Sequence, residues 1–463
     1  MTDSTPPITI AGAGPVGCLL ASILADRGFE VVIFEKRADL RRSSWEGGRS
    51  INLVLTERGQ QALELIGLRE AVIQRTVPVL GRMMHDRHGV LAYQPYGKDE
   101  SECNYSVSRD GLNAFLLDAA EERGVVVHFE SPITGVDFES QTLEVAGDDG
   151  EVREIDFDVL FGCDGAPSAL RRALVDAGVV SEQVEMMNWG YKEMIFPAGP
   201  DEDYAMAGHA LHIWPRGHHF LMGLANLDKS FTGTIYMPKE GPDSFESLDR
   251  PEKVRAFFEL HYQDATALLG DFVDEYLSNP VGNLGTVRCS PWHLDGRVLL
   301  LGDASHGIVP FFGQGLNSGF EDCSELVALL EEFDDFSTIF EEFFSRRKPN
   351  TDAIADMALE NSVEMSEKVG DPDFLLKKKV EALLEKNLGH LYRSRYAMVM
   401  YSVIPYQVAF DMGVIQQEIL SALTSEITSP EDVDLERAQE LIARKLTPYA
   451  ERHGVVFDRD HRS

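Results

Sequence analysis

A glycine-rich turn between two short apolar segments constrains this chain more than any other feature of its sequence. The segments Ile8–Ala11 and Val31–Phe34 have the composition of buried parallel strands. Between them, the turn Gly12-Ala13-Gly14-Pro15-Val16-Gly17 opens an apolar helix that Gly28 ends. A strand, a GxGxxG turn, a helix and a second strand in this order predict a Rossmann-type parallel sheet.

The same turn predicts a dinucleotide site. Gly12 allows the tight turn, Gly14 lets the backbone approach a pyrophosphate at the helix N-terminus, and Gly17 lets helix and strand pack closely. Glu35, at the end of the second strand, is placed to accept hydrogen bonds from a ribose diol. The predicted cofactor contacts in this region are Gly12, Gly14, Val16, Gly17, Glu35, Lys36 and Arg37.

Two later motifs favour a flavin dinucleotide over a nicotinamide one. An apolar strand ends at Leu301-Gly302-Asp303-Ala304, and residues 310–317 then open a helix. Asp303 can reach ribityl hydroxyls, and the amides of Gly315, Leu316 and Asn317 can face the flavin pyrimidine, where a helix N-terminus stabilises negative charge. Between the two halves, the strand Val159–Gly162 runs into a turn carrying Asp164, a further candidate.

Composition excludes several classes of partner. The formal net charge of −35 disfavours nucleic acid and anionic membrane surfaces, and no apolar run reaches the ~20 residues of a membrane span. The five cysteines are scattered without a CxxC pair, so we expect no metal site and a reduced, cytoplasmic protein. The acidic surface fits a salt-rich habitat or an ordinary solvated surface equally well.

The pattern along the chain predicts an α/β fold in three parts. An FAD-binding domain is expected in two segments, residues 1–178 and 289–325. A mainly antiparallel β-sheet substrate domain, residues 179–288, is inserted between them, and a C-terminal helical region spans 326–463. Residues 56–68 and 109–123 are predicted helices.

The order and spacing of these motifs resemble the single-component FAD-dependent aromatic monooxygenases, the group of p-hydroxybenzoate hydroxylase. The resemblance implies non-covalent FAD, NADPH as a transient co-substrate without a Rossmann site of its own, and hydroxylation through a flavin hydroperoxide. It runs from about residue 8 to 410. Further stretches resemble the branch that hydroxylates L-kynurenine: residues 48–53, 82–85, 94–97, 107–109, 191–193, 212–216, 306–315, 361–365 and 396–399.

This resemblance implies a set of site residues. Arg82 and Tyr96 would hold the substrate carboxylate, a group that arginine binds bidentately. The polar side of the pocket would comprise Asn361, Glu364 and Tyr396, the wall towards the flavin Pro310, Phe311 and Phe312, and further flavin contacts Arg109, Asp303, Leu316 and Asn317. Apolar walls for the aromatic ring are expected from Ile213, Met222, Leu224 and Ile235.

No catalytic base is expected, because the aryl amine already activates the substrate ring, and His306 is assigned a structural role.

Two alternatives stay open: a hydroxylase of another aromatic carboxylate, such as a salicylate or anthranilate, and a non-catalytic flavin- or dinucleotide-binding protein. The loop from Gly313 to Asn317 argues against the second.

Eukaryotic relatives add a hydrophobic C-terminal membrane segment, whereas this chain ends in polar residues, so we expect no membrane anchor. The oligomeric state is left open.

Overall fold

The computed structural model of the chain describes residues 8–42, 52–147, 150–365 and 371–457. The polar glycine-rich loop at residues 43–48, most of the 48–53 stretch and the polar chain end beyond residue 457 lie outside these ranges. The strands are β1 (Ile8–Ala11), β2 (Val31–Phe34), β3 (Asn52–Leu55), β4 (Val77–Val79), β5 (Gly81–His85), β6 (Leu91–Pro95), β7 (Asn104–Ser108), β8 (Val126–His128), β9 (Ile133–Asp137), β10 (Thr142–Ala146), β11 (Val152–Asp156), β12 (Val159–Gly162), β13 (Ser181–Phe196), β14 (Ala210–Pro215), β15 (Phe220–Ala225), β16 (Phe231–Pro238), β17 (Gly282–Ser290), β18 (His293–Leu294) and β19 (Val298–Leu300). The helices are α1 (Pro15–Asp26), α2 (Glu57–Glu64), α3 (Arg69–Ile73), α4 (Arg109–Glu122), α5 (Ala169–Asp176), α6 (Pro251–His261), α7 (Gln263–Leu269), α8 (Val273–Ser278), α9 (Asp303–His306), α10 (Gly315–Glu332), α11 (Phe336–Val363), α12 (Pro372–Leu388), α13 (Arg395–Met400), α14 (Tyr406–Thr424), α15 (Leu435–Lys445) and α16 (Thr447–Arg452).

The predicted Rossmann-type sheet is present, with the strand order β18-β19-β12-β1-β2-β8. All neighbouring pairs are parallel except β18 with β19, and Ile8 of β1 lies opposite both Val31 and Val159. β1, β2, β12 and β19 are apolar and buried along nearly their whole length, as expected of parallel strands that are covered on both faces. Their carboxyl ends, where β1, β12 and β19 run into glycine turns, meet at one edge.

A second, seven-stranded sheet has the order β17-β13-β16-β15-β14-β5-β6. It is antiparallel except between β14 and β5, which confirms the predicted mainly antiparallel sheet. Two of its strands, β5 and β6, come from residues 81–95, inside the segment assigned to the nucleotide-binding part. A pattern along the chain cannot show which sheet a short strand joins, because the β5 partner is distant in sequence.

The two faces of the seven-stranded sheet pack against different elements. One face packs with Val254, Phe258 and Phe272 from α6 to α8 in a core of its own. The other face packs with the C-terminal helices and with Phe311 and Phe312. The sequence predicted mainly short strands in residues 179–288. The structure instead has three helices, α6 to α8, in the last third of this segment.

The strand register corrects one predicted wall residue. Ile235 pairs with Leu221, and both lie in the core formed with α6 to α8, on the face away from the C-terminal helices. Ile213 and the half-buried Met222 lie on the opposite face. Successive side chains of a strand alternate between faces, so Ile235 cannot join these two.

The rest of the described chain is helical from α10 onward, as predicted. Helices α11 to α16 supply most of the hydrophobic core on the face of the seven-stranded sheet opposite α6 to α8, including Ile354, Met398 and Ile442. In the part of the chain that the structure describes, no helix has the length and apolar character required to span a bilayer.

Candidate active site

A cleft of about 490 Å³ opens at the carboxyl edge of the parallel sheet and extends to the seven-stranded sheet. It brings together most of the predicted cofactor residues from six separate segments of the chain. Those lining it are Gly12, Gly14, Val16, Glu35, Lys36, Arg37, Arg109, Asp164, Asp303, Gly315 and Leu316. The predicted wall residues Pro310, Met222 and Leu224 line its far end. The cleft therefore joins the two predicted halves of the site.

The glycine turn has the geometry of a pyrophosphate cradle. Gly12 has φ +99°, and a Cβ there would lie 2.6 Å from the carbonyl oxygen of Cys163. A Cβ on Gly17 would lie 2.1 Å from the Gly12 oxygen, so α1 could not pack against the turn. A Cβ on Gly14 would meet no protein atom within 4 Å and would occupy the cleft itself. A phosphate group at the N-terminus of α1 needs that space.

Glu35 is buried at the floor of the cleft. Its Oε2 accepts a hydrogen bond from the Ala13 amide (2.8 Å), and its Oε1 accepts one from the Arg37 amide (2.9 Å). Oε1 also accepts a hydrogen bond from Arg37 Nε (3.2 Å), whereas Oε2 keeps a second lone pair that can accept from a ribose diol. These bonds also fix the carboxylate against the glycine turn before any ligand binds.

Asp164 has two roles that the sequence did not separate. Its Oδ2 accepts hydrogen bonds from the amides of Ala169 (2.6 Å) and Leu170 (3.2 Å), which anchors the start of α5. Its Oδ1 is buried and accepts no hydrogen bond from any described residue. An acceptor without a donor at the wall of a cleft is unfavourable unless a bound group or water supplies one.

Two predicted cofactor residues lie behind the cleft wall. Asn317 is fully buried, and its side chain is engaged by protein groups: Oδ1 accepts from the Thr56 amide (2.8 Å), and Nδ2 donates to the carbonyls of Val54 (2.7 Å) and Gly313 (3.0 Å). It therefore braces the N-terminus of α10 against β3, and only its backbone is left for a flavin. Gly17 is likewise covered by the turn.

A second group of predicted residues surrounds the Arg82 guanidinium. Arg82 on β5 lies with its Cζ 5.6 Å from the centre of the Tyr96 ring. Tyr96 stacks on Tyr396 of α13 (5.3 Å between ring centres), and Phe312 lies 6.0 Å from Tyr396. The structure thus brings Tyr396 to Arg82 and Tyr96, which lie about 300 residues earlier in the chain, and places Phe312 beside Tyr396.

Charge and burial suit this group to an anion. The Arg82 guanidinium forms no hydrogen bond or ion pair with any residue that the structure describes. Burial raises the pKa of both Tyr96 and Tyr396, although the nearby Arg82 opposes the shift. Their hydroxyls therefore stay protonated at neutral pH and can donate hydrogen bonds. Asn104 Nδ2 donates to the Tyr396 hydroxyl (2.9 Å) and fixes its position.

Asn361 and Glu364 lie one turn apart at the end of α11 and are both half-buried. Asn361 Nδ2 donates to the Phe311 carbonyl (2.6 Å), so its amide supports the aromatic wall. The Glu364 amide donates to the carbonyls of Glu360 and Asn361, and its carboxylate makes no hydrogen bond with a described residue. The structure thus connects Asn361 to the wall and leaves the predicted role of Glu364 as a prediction.

Sequence reasoning missed two residues of this region. Tyr236 lines the cleft between the flavin end and Phe311, whose ring centre is 5.5 Å away. The pairing of Tyr236 with Phe220 puts both on the inner face of the sheet. Side chains of β16 alternate between the two faces of the sheet, so the sequence could have identified Tyr236 as a wall residue if the face that lines the cleft had been known. Asn104 gave no signal at all.

No histidine of the described part of the chain lines the cleft. His306 is buried, and its Nε2 lies 2.6 Å from Asp322 Oδ2, which fits the predicted structural role. Among the described residues, one cluster has the composition of a metal site, formed by His219, Asp243 and His261. Arg87 and Arg216 lie close enough to lower the pKa of His261, after burial itself, and their charge opposes a cation there.

The parallel sheet, the glycine cradle and the late Asp303 motif define an FAD-binding protein of the α/β class. Residues 5–334 match the family model described as "FAD binding domain". Two curated relatives are both named kynurenine 3-monooxygenase. The protein from Myxococcus xanthus is 47% identical over 452 residues, which is 97% of each chain. That from Xanthomonas axonopodis pv. citri is 39% identical over 442 residues, 95% of this chain and 97% of its own.

Solved structures share the fold at low sequence identity. A 2-methyl-3-hydroxypyridine-5-carboxylic acid oxygenase superposes with a TM-score of 0.62 at 20% identity, over 82% of this chain and 96% of its own. P. aeruginosa PqsL in complex with 2-aminobenzoylacetate gives a TM-score of 0.62 at 20% identity, over 78% of this chain and 97% of its own. The chain belongs to the FAD-binding domain family and, within it, to the family of the kynurenine 3-monooxygenases.

Proposed function

We propose that this protein is an FAD-dependent aromatic monooxygenase that converts L-kynurenine to 3-hydroxy-L-kynurenine with NADPH and O₂. The names of the full-length relatives support the reaction, and the family match together with the cleft supports the cofactor. FAD, once bound and reduced by NADPH, activates O₂ for transfer to the substrate ring. The side chains around the cleft bind the substrate, orient its ring and exclude water.

The observation that carries the substrate assignment is the Arg82 guanidinium, which has no hydrogen-bond or ion-pair partner among the described residues and contacts only the Tyr96 ring. A half-buried arginine without a carboxylate partner among these residues is unusual in a chain with a net charge of −35. The Tyr96 ring lies beside it and stacks on Tyr396, and both phenols stay protonated at neutral pH. A carboxylate placed there would satisfy the guanidinium and could accept a hydrogen bond from a tyrosine hydroxyl.

The remaining residues position the ring and keep water away. Phe311 and Phe312 separate the carboxylate pocket from the flavin end of the cleft, and Asn361 holds the Phe311 backbone. Met222, Leu224 and Tyr236 supply an apolar wall on the sheet side. A substrate anchored through its carboxylate is thereby directed towards the cofactor with its aromatic ring leading.

The proposed reaction requires no strong base from the protein. The aryl amine of kynurenine donates electrons to the ring, so the hydroxylated carbon is activated by the substrate itself. The high pKa of Tyr96 and Tyr396 makes them hydrogen-bond donors and not bases at neutral pH. This fits a mechanism in which the protein orients the substrate and excludes water.

The cysteines support a cytoplasmic location. All five are buried and none forms a disulfide. Burial raises the pKa of Cys163, Cys18 and Cys323, which lie around the glycine turn and remain protonated thiols. A protein that keeps all its thiols reduced is typical of a reducing compartment.

The deciding experiment uses the purified protein with its bound flavin. NADPH oxidation is followed with L-kynurenine, anthranilate or salicylate, and the product is identified by mass spectrometry. We expect L-kynurenine alone to accelerate NADPH oxidation and to gain one oxygen atom. Acceleration and oxygenation with anthranilate or salicylate, but not L-kynurenine, would assign the site to another aromatic carboxylate. A protein that binds flavin but turns over none of them would contradict the proposal.

A further inference from the structure

The turn that carries Asp303 has little structure of its own. α9 comprises only the four residues Asp303–His306, fewer than an isolated helix needs to be stable. Gly302 before it has φ +59° and ψ −144°, a conformation that favours glycine. The amides of Ser305 and His306 share one acceptor, the Gly302 carbonyl, each at 2.9 Å. The direction of Asp303 must therefore be fixed from outside the turn.

Arg171 Nη1 donates to the Ala304 carbonyl (2.7 Å), and one carboxylate from α10 supports both ends of the turn. Asp322 Oδ2 accepts a hydrogen bond from the Gly302 amide (2.8 Å) and one from His306 Nε2 (2.6 Å). A single oxygen atom therefore holds both ends of the segment that contains Asp303. Asp322 is fully buried and does not line the cleft, so it acts only through these neighbours.

Helix α10 is itself fixed against the cofactor cleft. At Gly319, one turn before Asp322, a Cβ would lie 2.7 Å from Val16 Cγ2 and 3.5 Å from Gly302 Cα. The first residues of the same helix, Gly315 and Leu316, line the cleft. Helix α10 thus contacts the cleft through its N-terminus and the Asp303 turn through Asp322. It therefore fixes the position of the turn relative to the cleft.

The buried charge of Asp322 is balanced. Arg347 Nε donates to Asp322 Oδ1 (2.8 Å) and the same guanidinium pairs with Glu321, which pairs in turn with Arg58. Burial alone would raise the pKa of Asp322, but the neighbouring His306 and Arg347 hold it below its usual value. Asp322 is therefore an ionised acceptor, and its two hydrogen bonds to the turn are charge-assisted.

We infer that Asp322 is a positioning residue for the cofactor: through Gly302 and His306 it holds the Asp303 carboxylate in the place where it can bind the ribityl chain of FAD. The inference rests on the proposed role of Asp303. Asp322 does not touch the cofactor, so its effect must appear in cofactor affinity and not in substrate recognition.

The test compares two adjacent acidic residues in the same ionic network. Asp322→Asn and Glu321→Gln each remove one buried negative charge, but only Asp322 contacts the Asp303 turn. FAD dissociation constants are measured by flavin fluorescence on dilution of the purified flavin-loaded protein, together with the thermal unfolding midpoint. We expect Asp322→Asn to weaken FAD binding about tenfold or more and Glu321→Gln less than twofold, with similar losses of midpoint. Equal effects on FAD would overturn the inference.

A second pair of variants decides the matter where Asp322→Asn does not fold. His306→Gln keeps an N–H donor that can reach Asp322, whereas His306→Ala removes it. We expect near-normal FAD affinity in the first and weakened affinity in the second, and equal affinities would overturn the inference.

Asp303→Ala separates this inference from the site proposal on which it rests. If it leaves FAD affinity unchanged, the ribityl contact is wrong and the inference falls with it. If Asp303→Ala weakens FAD while Asp322→Asn does not, only the inference is overturned.

Discussion

Replacement of Arg82 by alanine is the most informative perturbation of the proposed substrate site. The guanidinium has no hydrogen-bond or ion-pair partner among the described residues, so its removal breaks no internal ion pair and costs the fold only its contact with the Tyr96 ring. The substrate carboxylate, in contrast, would be left beside the two tyrosines without a positive charge. The loss should therefore fall on binding and not on stability.

The size of the effect follows from the burial of Arg82. Truncating one member of a buried charge pair costs on the order of 2–5 kcal/mol. Arg82 is half-buried, and water can partly replace it, so we expect the lower part of that range. At about 1.4 kcal/mol per factor of ten, this is roughly 30- to 300-fold in kynurenine affinity. Arg82→Lys should recover only part of the loss, because an ammonium cannot make the two-pronged contact.

The assay is a titration of the flavin absorbance change with L-kynurenine, run beside NADPH oxidation. Flavin content should stay normal in Arg82→Ala, because Arg82 is assigned to the substrate. Arg87→Ala is the matched control: it removes an exposed arginine just beyond the same strand and should leave kynurenine affinity unchanged. Unchanged affinity in a folded Arg82→Ala protein would remove Arg82 from the site and refute the carboxylate argument.

Three further predictions concern the cofactor cleft and the fold. Glu35→Ala should weaken FAD by roughly 10- to 150-fold without changing substrate preference, because a charged acceptor contributes about 1.5–3 kcal/mol; FAD content at limiting FAD checks this. Gly14→Ala should fold normally but bind FAD poorly, whereas Gly17→Ala should lose more than about 2 kcal/mol of unfolding free energy, since its Cβ would strike Gly12; urea unfolding and flavin content separate the two. Burial lowers the pKa of His212 from 6.5 to about 4, so the folded protein resists protonation there and stability falls as pH drops below about 6.5. The unfolding free energy lost between pH 8 and pH 5 should be about 2 kcal/mol smaller in His212→Gln, and an equal loss in both proteins would contradict the assignment.

The parts of the fold that the sequence predicted best are governed by local rules. The bounds of β1, β2 and β12 match the predicted strands residue by residue, because each is a short apolar run ended by a turn. The predicted helix at residues 56–68 is present as α2, which begins after the expected cap Thr56 but ends at Glu64, and α3 follows beyond the predicted range. Gly67, with φ +67°, lies between them and breaks the helical backbone.

Pairings between distant strands were beyond the reach of the sequence. Nothing in residues 81–95 distinguishes a strand of the parallel sheet from one that pairs with β14. The same lack of long-range information placed Ile235 on the wrong face of β16. Both faces of this sheet are buried, so either face can hold an apolar side chain such as that of Ile235. The composition of β16 therefore could not show which of its residues face the cleft.

The candidate residues divide according to what their polar atoms already bind. Asn317 belongs to the predicted flavin motif, yet every hydrogen-bonding atom of its side chain is used by the protein, so it builds the site without touching a ligand. Asp164, in contrast, lines the cleft and keeps a buried Oδ1 without a donor among the described residues. Leaving such an atom unpaired is costly in a protein without a ligand, and binding recovers that cost. Within a motif that lines the cleft, an unsatisfied polar atom therefore distinguishes a candidate ligand contact from a residue that only builds the site.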